Sequence, residues 1–411
     1  MLRIIHTADW HLGQTFYSYD RSAEHAHFLQ WLLQILDEQE IDVLLIAGDI
    51  FDTANPSAVS QRMFYRFLQQ ASAQQPNLQI IVIAGNHDSA ARLEAPQPLV
   101  DDRNISIRGI IKRDEEGKII PEHFVIPLYN KNKEEEALCL AVPYLHQGDY
   151  PGAKGYEEGV KQMYRDVLTC AKDQMVSPNE PIVAMGHFYA TNAEIAATDA
   201  SEHLMVGGLD CVDASEFGDE MSYTALGHIH KAQRVAGHET VRYAGAPLSM
   251  TFAEIHYHHG VQLITLEGKD NIKIDRLEYQ TLVNLLSLPE KDSFTPDDIV
   301  KRLSNLLPDI SDEDVQTKPY LEIKVELDSP DPSLQNKIDE VLSQKAVRFC
   351  RIKNTLQPVE VNNTSEIKTL EQIAPAELAQ LIYEDHNGGK KMPDELINLM
   401  NDVIKDVEEN R

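Results

Sequence analysis

The sequence predicts an α/β layered domain, then a small α+β unit, then a C-terminal helical hairpin. Three observations carry this prediction. From Leu2 to about Arg276, apolar runs without polar alternation are separated by segments of helical periodicity, the pattern of strands buried on both faces between helices. Nearly every one of these runs is followed at once by a short motif of Gly, Asp, Asn or His. Beyond Leu282 the pattern shortens to a few helix and strand segments and, after a polar stretch, to two amphipathic segments.

Taken in order, Leu2 to Thr7 opens as a strand, and Ala23 to Gln39 places Phe28, Leu32, Ile35 and Leu36 at helical spacing. The alternation repeats in the strand Asp42 to Ala47, a helix near Ser57 to Ser72 and the strand Leu78 to Ala84. Arg108 to Lys133 mixes Gly117, Pro121 and charges with short β-like pieces. Leu138 to Val142 and Pro181 to Met185 restore apolar strands, so this part reads as a second sheet half. Val241 to Thr265 is β-rich, with Gly245, Pro247 and Gly260 as turn signals, and closes a first domain at residues 1–276.

The second domain, 282–356, comprises a helix Pro296 to Leu307, a strand Tyr320 to Leu327, a helix Ser333 to Gln344 and a strand Val347 to Lys353. Residues 357–370, which carry Asn362-Asn363-Thr364-Ser365, have the polar composition of a linker. In 371–411, Pro375 to Tyr383 and Pro393 to Val407 flank the turn His386-Asn387-Gly388-Gly389. Their apolar residues, among them Leu378, Leu381, Leu396, Leu399 and Val403, are too few for a domain, so the pair is either a docking element or a hairpin folded on its own protein.

Composition bounds the function. At 411 residues and 42% hydrophobic content the chain can bury a sizeable core. Its formal charge, 37 − 66 = −29, repels nucleic acid phosphate and counts against a stand-alone, high-affinity DNA binder unless a partner or bound metal supplies positive charge. The four cysteines are scattered and form no C-x-x-C pair, which argues against a zinc ribbon or a disulfide framework. No apolar stretch approaches the ~18 residues of a spanning helix, and a candidate ligand as early as Asp9 leaves no room for a cleavable signal. The expectation is a soluble cytoplasmic protein with no membrane contact.

The motifs carry the chemistry. They are Asp9-x-His11, Gly48-Asp49 with Asp52, Gly85-Asn86-His87-Asp88, Gly186-His187 and Gly227-His228-x-His230. Any one alone is a weak signal, but five in order, most of them ending a strand, are how a rigid sheet holds carboxylates, an amide and imidazoles around two cations, the centre of a phosphoesterase. The mixed O and N donors fit manganese, iron or zinc better than magnesium or calcium, the absence of thiolates counts against zinc, and manganese is the expectation. Two cations about 3.5–4 Å apart repel, and a shared carboxylate is the simplest bridge; Asp49 is placed for it. The glycines before the ligands are expected to leave room for metals and substrate. Asp52 is alternatively a loop cap for the helix near Ser57, and Asp88, which could equally be a cap, is assigned no chemistry.

The strings "DWH", "GDIFD", "GNHD", "GH" and "GHIH" resemble the motifs of the calcineurin-like metallophosphoesterase superfamily. Within it, "HTADWHLGQ", "LLIAGDIFDTANP" and "VIAGNHDS" are similar to the family of nuclease subunits of bacterial SbcCD complexes. The resemblance implies a four-layer α/β/β/α metallophosphoesterase sandwich whose 282–356 unit is a capping domain. It implies one metal ion on Asp9, His11, Asp49 and His230 and a second on Asp49, Asn86, His187 and His228. His87, without a metal, would stabilise developing charge and protonate the leaving oxygen, and the Asp52 carboxylate would orient it.

The same resemblance implies a 3′ to 5′ double-strand exonuclease and endonuclease acting on DNA ends and hairpins in repair, recombination and replication. The partner would be an ABC-type ATPase (SbcC) whose coiled coil docks on residues 371–411. A homodimer within a heterotetramer would use helices bearing Met63, Phe64, Phe67, Leu93 and Leu99, although packing on the sheet explains most of these residues as well. Two other readings compete: a phosphomonoesterase and a non-catalytic scaffold. Phosphatases of the superfamily carry an Arg after the second Asp, where this chain has Asp52-Thr53-Ala54, and no metal-motif position is substituted as a dead scaffold would require.

Overall fold

The computed structural model describes residues 1–354 other than 101–102, 153–154, 192, 194–210, 215–216, 218–219, 236, 292, 297, 311–316 and 327–331, and beyond 354 only 383, 392–393 and 396–397. Six strands form a first sheet in the order Ile272–Glu278, Gly260–Leu266, Leu2–Thr7, Val43–Ala47, Gln79–Ile83, Ile105–Arg108. The last four are parallel, and Gly260–Leu266 returns antiparallel beside Leu2–Thr7. A second six-stranded sheet runs Gln233–Val235, His238–Tyr243, Tyr223–Gly227, Ile182–His187, Glu135–Ala141, Val125–Tyr129, parallel at its three central pairings.

Strand periodicity assigns each side chain to one of two cores. Val43, Leu45 and Ala47 join Ile81, Ile83, Val183, Met185 and Tyr223 in the core between the sheets. Leu44 and Ile46 point the other way, to Ile80, Val82 and the helices Ser22–Glu38 and Ala58–Gln74, which contribute Phe28, Leu32, Phe64 and Phe67. Helix Tyr156–Gln174 covers the outer face of the second sheet through Val160, Met163 and Val167. The result is helix, sheet, sheet, helix, with each fully buried Leu, Ile or Phe contributing about 1.5–3 kcal/mol.

Three details of this domain differ from the sequence reading. Helix Tyr156–Gln174 and the strand Ile105–Arg108 were not expected, and Ile272–Glu278 carries the first sheet past residue 276. Phe64, Phe67 and Leu93 are spent in the chain's own core, whereas Leu99 is 81% exposed. No described helix is long and apolar enough to cross a membrane.

The unit after residue 282 has a three-stranded sheet, Leu285–Leu288, Tyr320–Val325 and Arg348–Asn354, with helices Ile299–Leu306 and Pro332–Leu342. All its pairings are parallel, so it is built from strand–helix–strand crossovers, and its first strand was not expected. Phe294, Ile299, Leu303, Leu321, Ile323 and Ile338 form its core. By contacts the chain divides into Met1–Thr355 and Leu356–Arg411. Residues 357–370 lie outside the described residues, as does most of 371–411, where the Leu396 N–H donates to the Pro393 carbonyl at 3.0 Å.

Within Met1–Thr355 the small unit meets the layered domain at a buried ion pair. Arg21 Nη2 donates to Glu24 Oε2 at 2.9 Å, Arg21 Nη1 to the Ser249 carbonyl at 2.7 Å, and the Tyr320 hydroxyl to Glu24 Oε1 at 2.6 Å. Both ionic partners are almost fully buried. Removing one partner of a buried pair strands the other charge out of water, at a cost of about 3–5 kcal/mol. Arg21→Ala is therefore expected to lower the urea midpoint by a corresponding amount, and a midpoint within error of the parent would show the pair contributes nothing.

Candidate metal centre

The ligand candidates gather where strands of both sheets end on the same side. Asp9 and His11 follow Leu2–Thr7, Asp49 follows Val43–Ala47, and Asn86 and His87 follow Gln79–Ile83. His187 ends Ile182–His187, and His228 and His230 follow Tyr223–Gly227. Carboxyl ends of parallel strands are where α/β sheets place their sites.

The first two loops are joined by main-chain bonds, Asp9 N–H to Gly48 O and His11 N–H to Asp49 O, both 3.0 Å. Asp9, His11 and Asp49 have φ of 56°, 45° and 51°. Non-glycine residues seldom occupy this left-handed region, and each pays a strain of about 1–3 kcal/mol. The turns send Asp9 and His11 to the site and Trp10 to the opposite side. There its indole is fully buried against Phe28, Phe64 and Phe67 and donates Nε1–H to Thr7 Oγ1 at 2.9 Å. Burying the largest side chain between two strained ligands offsets that strain.

Close approach fixes two glycines. A Cβ on Gly85 would stand 2.1 Å from Asp49 Oδ1, and one on Gly227 1.9 Å from the Ala47 carbonyl oxygen. Gly186 corrects the expectation that every such glycine makes room at the site: its Cβ would meet Tyr164 of the covering helix and Phe188 just after its own strand instead.

Acceptor atoms converge on one another. His187 donates Nδ1–H to the Ala47 carbonyl at 2.8 Å, so in the neutral ring the lone pair is on Nε2, which faces Asp49 Oδ2 at 3.3 Å and Asn86 Oδ1 at 3.0 Å. His228 Nδ1 lies 3.0 Å from the same amide oxygen, and the His228 main-chain N–H holds Asp9 Oδ1 at 2.8 Å. Buried Asp9 Oδ2 and His11 Nε2 have no hydrogen-bond partner, and the latter lies 3.6 Å from Asp49 Oδ2. Such a cluster needs positive charge between its members, as protons or as cations, and its O and N donors fit divalent transition ions.

Three groups of ligand atoms each lie within 4.8 Å of one another, Asp9–His11–Asp49, Asp49–His187–His228 and His11–Asp52–His87, and Asp49 is shared by the first two. His230 stands beside the first, its ring 5.2 Å from that of His11. Burial opposes charge on Asp49, but His187, His11 and His87 outweigh it and hold this carboxyl well below the usual range. Burial also opposes charge on His187, which the Asp49 carboxylate nonetheless lifts to about 9. His228, buried next to His187, falls to about 3.

His87 stands outside the two groups that share Asp49 and belongs to the third, with its ring 4.9 Å from that of His11 and its main-chain N–H on Asp49 Oδ1 at 2.9 Å. Its Nδ1 meets Asp52, but not as the sequence suggested. The partner is the Asp52 main-chain carbonyl at 2.9 Å, while the Asp52 carboxylate turns to His11 Nδ1 at 3.5 Å. The loop thus serves two imidazoles with different atoms of one residue. Asp88, to which no chemistry was assigned, accepts from the N–H groups of Ile50, Phe51 and Gly85 at 3.1, 2.9 and 2.9 Å and ties the second and third loops together. Sequence reasoning missed Glu254, a fully buried carboxylate 3.3 Å from His230 Nδ1. Its one signal was an acid inside the otherwise apolar run Phe252 to Ile255.

Residues 2–232 match the family model described as calcineurin-like phosphoesterase, and 283–387 match one described as type 5 capsule protein repressor C-terminal domain. The chain is 33% identical over 361 residues to the SbcD component of the SbcCD nuclease of Rhodobacter capsulatus, covering 86% of this chain and 87% of that one. It is similarly 33% identical to the corresponding Escherichia coli K12 protein over 66% and 68% of the two chains. For the Bacillus subtilis protein of the same name it is 32% over 64% and 66%.

Below about 9 His187 carries a second proton, which an ion on Nε2 must displace, so ion affinity is expected to fall as pH drops below that value. Titrating Mn2+ into weakly buffered, metal-free protein at pH about 7.5 should release protons, about one fewer in His187→Asn. Equal release from parent and variant would contradict the assignment of this proton.

Proposed function

The chain belongs to the calcineurin-like phosphoesterase family, and on that premise we propose that it is the DNA nuclease subunit of an SbcCD-type complex, hydrolysing phosphodiester bonds with two divalent ions, most suitably Mn2+. The carrying observation is the sharing of Asp49 between two ligand sets, with a further imidazole, His87, beside them and in neither of these two. Asp9, His11, Asp49 and His230 hold one ion; Asp49, Asn86, His187 and His228 hold the other. When bound, the pair supplies Lewis acidity to the scissile phosphate and brings the pKa of water towards neutrality.

The chain's own groups do the rest. The Asp52 carbonyl takes the His87 Nδ1–H, which fixes the ring so that Nε2 is the nitrogen presented to substrate. In its protonated form His87 stabilises charge on the phosphate oxygens and passes the Nε2 proton to the leaving deoxyribose oxygen. The His87 N–H on Asp49 ties the position of this acid to the shared carboxylate.

Thr53 and Ala54 offer no arginine to clamp the dianionic end of a monoester, which favours a diester. On this reading the activity is 3′ to 5′ exonucleolytic and endonucleolytic on duplex ends and hairpins, in the cytoplasm, and an ABC-type ATPase (SbcC) grips residues 371–411 through its coiled coil. A charge of −29 leaves much of the DNA contact to that partner. Exposed Val59 and Leu99 are candidates for the contact between two such subunits.

With Mn2+, the full chain should degrade linear duplex DNA and leave p-nitrophenyl phosphate intact; the reverse pattern would favour a phosphomonoesterase. His87→Asn should keep two ions per chain by metal analysis while turnover falls by about 10²–10⁴, and loss of an ion would make His87 a ligand instead. Asp49→Ala should lose both ions, an outcome that retention of one tightly bound ion would refute.

A further inference from the structure

We infer that Glu254 is a positioning residue for the metal centre, acting through His230 and held in place by the small parallel unit; this rests on His230 being a metal ligand. Each oxygen of Glu254 is engaged: Oε2 accepts the Met250 main-chain N–H at 2.8 Å and Oε1 faces His230 Nδ1 at 3.3 Å. A carboxylate that is wholly buried costs several kcal/mol unless its oxygens find donors, so the fold keeps this one for a partner. With Nδ1–H donating to Glu254, Nε2 is the ligand nitrogen of His230, and the carboxylate raises its basicity. Elsewhere at the site His187 and His87 donate to main-chain carbonyls, His228 Nδ1 faces the Asn86 amide oxygen, and His11 Nδ1 faces the partly exposed Asp52 carboxylate.

The turn that carries Glu254 is clamped from outside the layered domain. In Phe252–Glu254, Thr251 Oγ1 caps the Ala253 N–H at 3.2 Å, and the Phe252 ring packs on Phe16 at 5.3 Å. The guanidinium of Arg351, from the last strand of the small unit, lies 5.6 Å over Phe252, and Tyr320 packs on Phe16 at 4.6 Å. Upstream of the turn, the Ser249 carbonyl is bound by Arg21, whose partner Glu24 accepts from Tyr320. A ligand of one ion is thereby set by a unit that supplies no ligand itself.

The test is calorimetric titration of Mn2+ into the metal-free full chain, with the thermal midpoint of each metal-free variant as the control for folding. Glu254→Gln should weaken one of two ions by about 10–100-fold, leave the other unchanged, and regain nuclease activity at high Mn2+. His230→Ala should abolish that same ion, and Glu254→Gln added to it should change nothing further. A parental titration for Glu254→Gln, or weakening of the remaining ion in the double variant, would overturn the inference. Parental binding of both ions by His230→Ala would instead overturn the ligand reading beneath it. If Glu254→Gln does not fold, Glu254→Asp keeps the charge and withdraws it from His230: weakening of that ion supports the inference, and unchanged binding overturns it.

Discussion

A single buried carboxylate, Asp49, organises the carboxyl ends of both sheets. It receives the His87 N–H, lies within 3.6 Å of imidazole nitrogens of His11 and His187, and belongs to two of the ligand groups. Burial alone would neutralise such a group, so its charge depends on the surrounding imidazoles and on whatever cations they admit. The first two loops meet through main-chain bonds to Gly48 and Asp49, and Asp88 binds the second loop to the third. Each strand end is thus referred to the same point.

The parts that were legible in the sequence are those in which residue type and position coincide. Strands such as Val43–Ala47 are buried on both faces, so their apolar character is continuous and the polar residue that ends each run stands out. The helix Tyr156–Gln174 was equally legible in principle, since Val160, Met163, Tyr164, Val167, Leu168 and Ala171 follow helical spacing. Leu285–Leu288 was not: four residues of intermediate burial give a strand signal too short to separate from a loop.

At the centre itself the seven ligand candidates were all drawn from motifs, and the structure brings them together. What escaped were groups whose role does not depend on their residue type. His87 and His187 rely on the carbonyls of Asp52 and Ala47, and any residue carries a carbonyl. Glu254 lies 24 positions beyond His230, and only the tertiary fold returns it there. Asp52 shows the same limit, because the right residue was found with the wrong atom assigned to His87.

The contact of Gly227 with the Ala47 carbonyl has a consequence for how this chain can vary. At that point the two sheets approach backbone to backbone, closer than any side chain would permit. The gap between the ligands of one sheet and those of the other is therefore gauged by the main chain, not by the apolar residues packed farther down the sandwich. Those residues can exchange volume among themselves over evolutionary time without resetting the gauge, so the interior is free to drift while the dimensions of the centre are kept.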